Sequence, residues 1–162
     1  MNMNIVIVAF ITVAGIAGLR SSVRAEQPAS AQQAPAGSSA EPSQSVWDGI
    51  YTNEQAARGD ALYSRTCAAC HAPDLSGGET APALAGAEFK SNWSGLSVND
   101  LFERIKVSMP GDNPGSLSRQ QTADTLAFVF SINRFPAGKS ELAREAELLK
   151  SITFEAFKPE NK

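Results

Sequence analysis

The pentapeptide Cys67-Ala68-Ala69-Cys70-His71 constrains this chain more than any other feature. It holds both cysteines and the single histidine of 162 residues. The pattern is the one that attaches c-type haem. Two thiols separated by two residues can both reach the vinyl groups on one edge of the ring. The next residue then lies beneath the iron, where an imidazole supplies a neutral nitrogen ligand. Ala68 and Ala69 are small enough to let the backbone lie close to the ring edge. Three plainer readings compete. A zinc site needs four ligands, and no Cys or His remains to complete one. A thioredoxin-like pair needs a strand before a CxxC-bearing helix, whereas a helical pattern precedes Cys67. A structural disulfide suits an oxidising compartment, but a two-residue gap removes little loop entropy.

A six-coordinate haem iron needs a second axial ligand, and the composition leaves few. With one histidine, bis-histidine ligation is excluded. Met1 and Met3 belong to the leader described below, so Met109 is the thioether that remains. It lies 38 residues after His71 and precedes Pro110 and Gly111, between a helix end and a turn. Core filling is the plain alternative for a methionine. His/Met ligation raises the reduction potential, as suits a carrier.

Ile5 to Leu19 is an uninterrupted uncharged run of 15 residues. As a helix it would span about 22 Å, less than the roughly 30 Å of a bilayer core. Val23-Arg24-Ala25 sets small residues at the positions a signal peptidase reads, so residues 1–25 read as a signal peptide cleaved before Glu26. A retained amino-terminal anchor is the alternative, because no Lys or Arg precedes the apolar run. Both readings export the remainder, to the periplasm, as a soluble or tethered protein. Residues 26–46 are rich in Ala, Pro, Ser and Gln without apolar periodicity, and read as a flexible linker. Without the leader the chain has 12 basic and 17 acidic residues, a net charge of −5. That balance argues against nucleic acid and anionic lipid and suits a partner with a basic docking patch.

Thr52 with Gln55 has the form of a capping box, predicting a helix from Asn53 to Thr66 that runs into Cys67. The stretch 72–95, punctuated by Gly and Pro, reads as an ordered loop. Ser97 opens a second helix carrying Leu101, Phe102 and Ile105, which ends before Pro110. Ser118 with Gln121 caps a third that reaches about Asn133 and carries Leu126, Phe128, Val129 and Phe130. A short amphipathic helix fits 140–150, and the tail from Glu155 reads as loose. No segment alternates with period two. The fold class expected is all-α, three to four helices around one covalent haem over residues 47–136, with 137–162 as a carboxy-terminal extension.

From about Gly59 to Phe135 these residues resemble the class I cytochrome c family. Gly59 and Tyr63 stand eight and four residues before Cys67. In the family such residues let the first helix cross the last closely, and Leu126 and Phe130 look like the answering positions. Pro82-Ala83-Leu84-Ala85-Gly86 is similar to the family loop whose proline carbonyl accepts from Nδ1 of the iron-bound histidine. That bond sets the tautomer and orientation of the ligand. The resemblance makes Pro82 and Leu84 cofactor-binding residues beside Cys67, Cys70, His71 and Met109, with His71 and Met109 on the iron. Many relatives have Gly where Ala81 stands. Trp93 and Asn92, and more weakly Arg104, are candidates for the haem propionates.

A narrower resemblance rests on Val46-Trp47-Asp48-Gly49-Ile50-Tyr51-Thr52, on Asp74-Leu75-Ser76-Gly77-Gly78-Glu79 and on Pro114-Gly115-Ser116-Leu117-Ser118. These look like cytochrome c modules found alone or fused to pyrroloquinoline quinone (PQQ)-dependent dehydrogenases. It implies an electron carrier, not an enzyme, taking electrons from a periplasmic dehydrogenase, a quinoprotein among the choices. They would pass to a terminal oxidase or another cytochrome. Two alternatives stand: a five-coordinate haem sensor or peroxidase-like protein, and a fixed cytochrome subunit of a membrane redox complex.

Overall fold

A computed structural model describes residues 44–160. The leader 1–25 and most of the linker lie outside the described residues. Six α-helices, one 3-10 turn (Val46–Asp48) and one pair of two-residue strands are found among those described: β1 (Gln44–Ser45), α1 (Asn53–Thr66), α2 (Ala68–His71), α3 (Gly86–Trp93), α4 (Val98–Ser108), α5 (Arg119–Ile132), α6 (Ala146–Lys150) and β2 (Ile152–Thr153). The class is all-α, as expected.

The helix starts follow their caps. The Thr52 side chain accepts from Gln55 N–H at the start of α1. Ser97 with Asp100 and Ser118 with Gln121 form reciprocal capping boxes on α4 and α5. These bonds satisfy amide groups that the first helical turn leaves without partners. α5 is the buried spine, with every residue from Thr122 to Phe130 removed from solvent. It packs chiefly against α1, which turns Gln55, Ala56, Gly59, Leu62 and Tyr63 inward at helical spacing.

Gly59 marks where α1 and α5 touch. A Cβ on it would lie 1.9 Å from Asp124 O and 2.9 Å from the Phe128 Cβ. The answering positions are therefore Asp124 and Phe128, not Leu126 and Phe130. The reason is helical phase: positions four apart share a face, and a residue two away points elsewhere. Phe130 instead joins an aromatic cluster, with ring centroids 5.7 Å from Phe135, 6.1 Å from Phe154 and 6.3 Å from Tyr51.

Four other expectations need correction. The loop reading of 72–95 misses α3, whose residues Ala87 to Trp93 contain no Gly or Pro. Averaging across a Gly-rich segment hid it. The linker stops earlier than residue 46, because Gln44 and Ser45 pair in parallel with Ile152 and Thr153 and Val46 is fully buried. The expected helix over 140–150 is reduced to Ala146–Lys150. Gln55, itself fully buried, holds the backbone of Leu142 like a neighbouring strand: Leu142 N–H donates to Oε1 (2.6 Å) and Nε2 donates to Leu142 O (3.2 Å). The start of the tail is tied down. Trp47 Nε1–H donates to Glu155 O at 3.0 Å, Ser45 Oγ bonds the Glu155 carboxylate, and Ala156 is buried. Phe157, one residue on, is exposed. The segment after Pro136 is thus built into the core through Leu142, Leu149, Ile152 and Phe154.

Candidate functional site

α1 ends at Cys67, whose N–H donates to Tyr63 O at 2.8 Å. The single turn α2 follows, with Cys70 N–H and His71 N–H both donating to Cys67 O (3.1 and 3.0 Å). This turn sets Cys67 and Cys70 three apart on one helical face, with His71 four from Cys67 beside them. Both thiols are free. Cys67 is half-buried and Cys70 exposed. Burial pushes the Cys67 thiol up, outweighing the Thr66 hydroxyl 3.3 Å from its sulfur. This environment lacks the lowered thiol pKa of a thioredoxin-type nucleophile.

The chain turns away sharply after His71. Ala72 has φ 63° and ψ 153°, a backbone region that costs a non-glycine residue about 1–3 kcal/mol. Its carbonyl is held twice, by the Tyr63 hydroxyl (2.7 Å) and by Leu75 N–H (3.2 Å). Burial, followed by the nearby Cys67 and Asp74, pushes the Tyr63 hydroxyl up to about 12, so it remains a donor at neutral pH.

The loop then folds back over the histidine. Gly77 N–H donates to His71 O (3.0 Å), Gly78 N–H to Ala81 O (2.9 Å) and Leu84 N–H to Leu75 O (2.9 Å). Gly77, at φ 78°, is required here, because a Cβ would sit 2.5 Å from Ala83 N. The fold-back places Pro82 O 2.8 Å from His71 Nδ1. A proline carbonyl only accepts, so Nδ1 carries the hydrogen and the neutral ring keeps its lone pair on Nε2. His71 is 7% exposed, which fixes the ring in a largely dry setting.

Met109 enters from another element. It caps the end of α4, donating its N–H to Ile105 O (2.9 Å), and is half-buried at the head of the segment leading to α5. Leu84, Ala85, Trp93, Ile105, Cys67 and Ala68 are half-buried apolar side chains packed on the core. The structure thus joins His71 to Pro82, sets Cys67 and Cys70 on the same turn, and supplies Leu84 from the loop that carries Pro82. Asn92 and Arg104 are exposed. Among the described residues no three His, Cys, Asp or Glu side chains gather as a metal site. The donor set fits a haem: a thiol pair on one turn, an imidazole with a directed lone pair, and a thioether from a separate loop.

Sequence reasoning missed Asn133. It is 5% exposed and bonds Leu84 O through Nδ2 (2.9 Å) and Gly86 N–H through Oδ1 (3.1 Å). An Asn at a helix end signals a cap. Nothing in its neighbours reveals partners 47 and 49 residues away.

Residues 54–129 match the family described as cytochrome c oxidase, cbb3-type, subunit III. No curated protein matches the sequence. A solved structure similar to this one is the sulfane dehydrogenase SoxCD from Paracoccus pantotrophus, at 21% identity and a TM-score of 0.45. That alignment covers 72% of this chain and 66% of the other, just under two thirds of its length. Among the described residues no helix is long and apolar enough to cross a membrane.

Proposed function

We propose that residues 54–129, which match that family, form a class I c-type cytochrome domain, and that this chain is a single-haem electron carrier with no catalytic residue of its own. The observation that carries the reading is His71 as the one histidine, with Nδ1 committed to Pro82 O and Nε2 left to ligate, one residue after a thiol pair on the same turn. Cys67 and Cys70 would hold haem c covalently. His71 and Met109 would hold the iron, with Leu84 lining the haem. Haem supplies a one-electron ferrous–ferric couple when bound.

The protein's own part is mechanical and electrostatic. Pro82 fixes the tautomer and direction of His71, which raises the basicity of Nε2. Tyr63 and Gly77 hold the backbone on either side of the turn at Ala72. The half-buried apolar wall lowers the local dielectric and keeps water from the site. With His71 and Met109 both holding the iron, no position would stay open for a substrate, which favours a carrier over a sensor or peroxidase. The carrier works in the periplasm after export, between a dehydrogenase and a downstream acceptor. A quinoprotein with a basic docking patch is the donor that the acidic chain and the phrases at Val46, Asp74 and Pro114 support.

A pyridine haemochrome assay on the purified full-length product, with a reduced-minus-oxidised spectrum, tests the reading. One covalent haem per chain is the expected result, lost when Cys67 and Cys70 are both changed to Ser. A wild-type protein without covalent haem would refute it. Sequencing the mature amino terminus tests export, with Glu26 the expected first residue.

A further inference from the structure

The histidine's partner is itself held. Pro82 lies on a loop whose two ends are fastened by different devices. On the side toward His71, Gly78 N–H closes onto Ala81 O. On the far side the backbone at Leu84 and Gly86 is gripped by one side-chain amide, that of Asn133 at the carboxy-terminal end of α5. Nδ2 donates to Leu84 O and to Val129 O, both at 2.9 Å, and Oδ1 accepts from Gly86 N–H at 3.1 Å. Two carbonyls on one end and an N–H on the other fix the orientation of the amide. Asn133 is buried, whereas Leu84 is half-buried and Gly86 exposed, so losing the amide removes the link between loop and helix while water can still reach the Gly86 N–H.

We propose that Asn133 is a positioning residue for His71: by anchoring Leu84 and Gly86 to α5 it fixes where the Pro82 carbonyl points, and through that bond the electron density on Nε2. The proposal rests on the haem reading above. When the Asn133 clamp goes, the loop keeps only its backbone bonds, Leu84 N–H to Leu75 O and Gly78 N–H to Ala81 O, so the Pro82 carbonyl is held less closely and the Nδ1–H bond weakens. A weaker bond makes Nε2 a poorer donor, which destabilises the ferric form more than the ferrous form and raises the reduction potential.

The test uses full-length holoprotein and three variants. Asn133→Ala removes the whole clamp. Asn133→Ser adds no charge and leaves a hydroxyl too short to bridge Leu84 O and Gly86 N–H, and it serves if Asn133→Ala fails to fold. Ile152→Ala, in β2, lowers stability without touching the loop. Two quantities are read: the midpoint potential, and the solvent-exchange rate of His71 Nδ1–H in the reduced protein by NMR. Both Asn133 variants are expected to exchange that proton about tenfold faster and to shift the redox equilibrium about tenfold toward the reduced form, about 59 mV upward. Ile152→Ala should change neither. Unchanged potential and exchange in the Asn133 variants would overturn the proposal, as would an equal shift in Ile152→Ala. Haem missing from the wild type would instead overturn the functional reading.

Discussion

His71 depends on a carbonyl eleven residues away, and that bond at 2.8 Å decides which ring nitrogen is available. Tyr63 and Gly77 add the backbone restraints that let Ala72 keep a positive φ immediately after it. Met109 differs in kind. Its backbone caps α4 through its N–H to Ile105 O, so the proposed role on iron is tested at the sulfur. Met109→Ala is expected to abolish the weak sulfur-to-iron absorption toward the red end of the spectrum and to lower the potential, leaving the haem covalently attached. An unchanged spectrum would remove Met109 from the iron. Carbon monoxide binding to the reduced protein should be poor in the wild type and rise in this variant, because the alanine leaves a coordination position open.

The crossing of α1 over α5 holds the domain together, and one missing side chain permits it. With Asp124 O 1.9 Å from where a Cβ would stand, Gly59→Ala cannot be absorbed by a rotamer change. The helices must part, and the Tyr63 and Phe128 rings, 5.2 Å apart, must part with them. The Arg58 guanidinium, paired with Asp124 at 3.0 Å and Glu141 at 2.8 Å, would be displaced too, although its exposure makes that loss small. Overpacking of this kind costs typically about 1–3 kcal/mol, and a clash with backbone belongs at or above the upper end. Urea denaturation of Gly59→Ala should show a midpoint lowered accordingly, with a slope close to that of the wild type. A midpoint within error of the wild type would mean that the helices do not meet at Gly59.

At the scale of the molecule, the residues after Pro136 are part of the core, not an appendage. Phe154 is fully buried among Phe89, Phe130 and Phe135, and its N–H donates to Leu96 O at 2.8 Å. The parallel pair of β1 and β2 then brings the start of the described chain to its end. Phe154→Ala should cost about 3–5 kcal/mol, a large share of the roughly 5–15 kcal/mol that stabilises a domain. Thermal unfolding of the holoprotein checks it: a large fall in Tm is expected, and a fall of only a degree or two would place Phe154 outside the cooperative core. A chain ending at Pro136 loses Leu142, Leu149, Ile152 and Phe154 from the core together and should not fold to the native state.

The helix starts, the all-α class and the motif from Cys67 to His71 were readable in the sequence because each is local. A capping box, a helical phase and a two-residue gap are complete within about five residues. Pro82, Leu84 and the importance of Gly59 were legible only through resemblance, since nothing nearby marks a loop proline as a histidine's partner. The tertiary structure alone decided the rest: Asp124 and Phe128 opposite Gly59, Gln55 standing in as a strand for Leu142, the strand pair at the two ends, and Asn133 gripping Leu84 and Gly86. These are contacts between groups 47 to 108 residues apart. They form because buried polar groups must find partners and apolar faces must find each other, and the chain's path through three dimensions determines which ones meet.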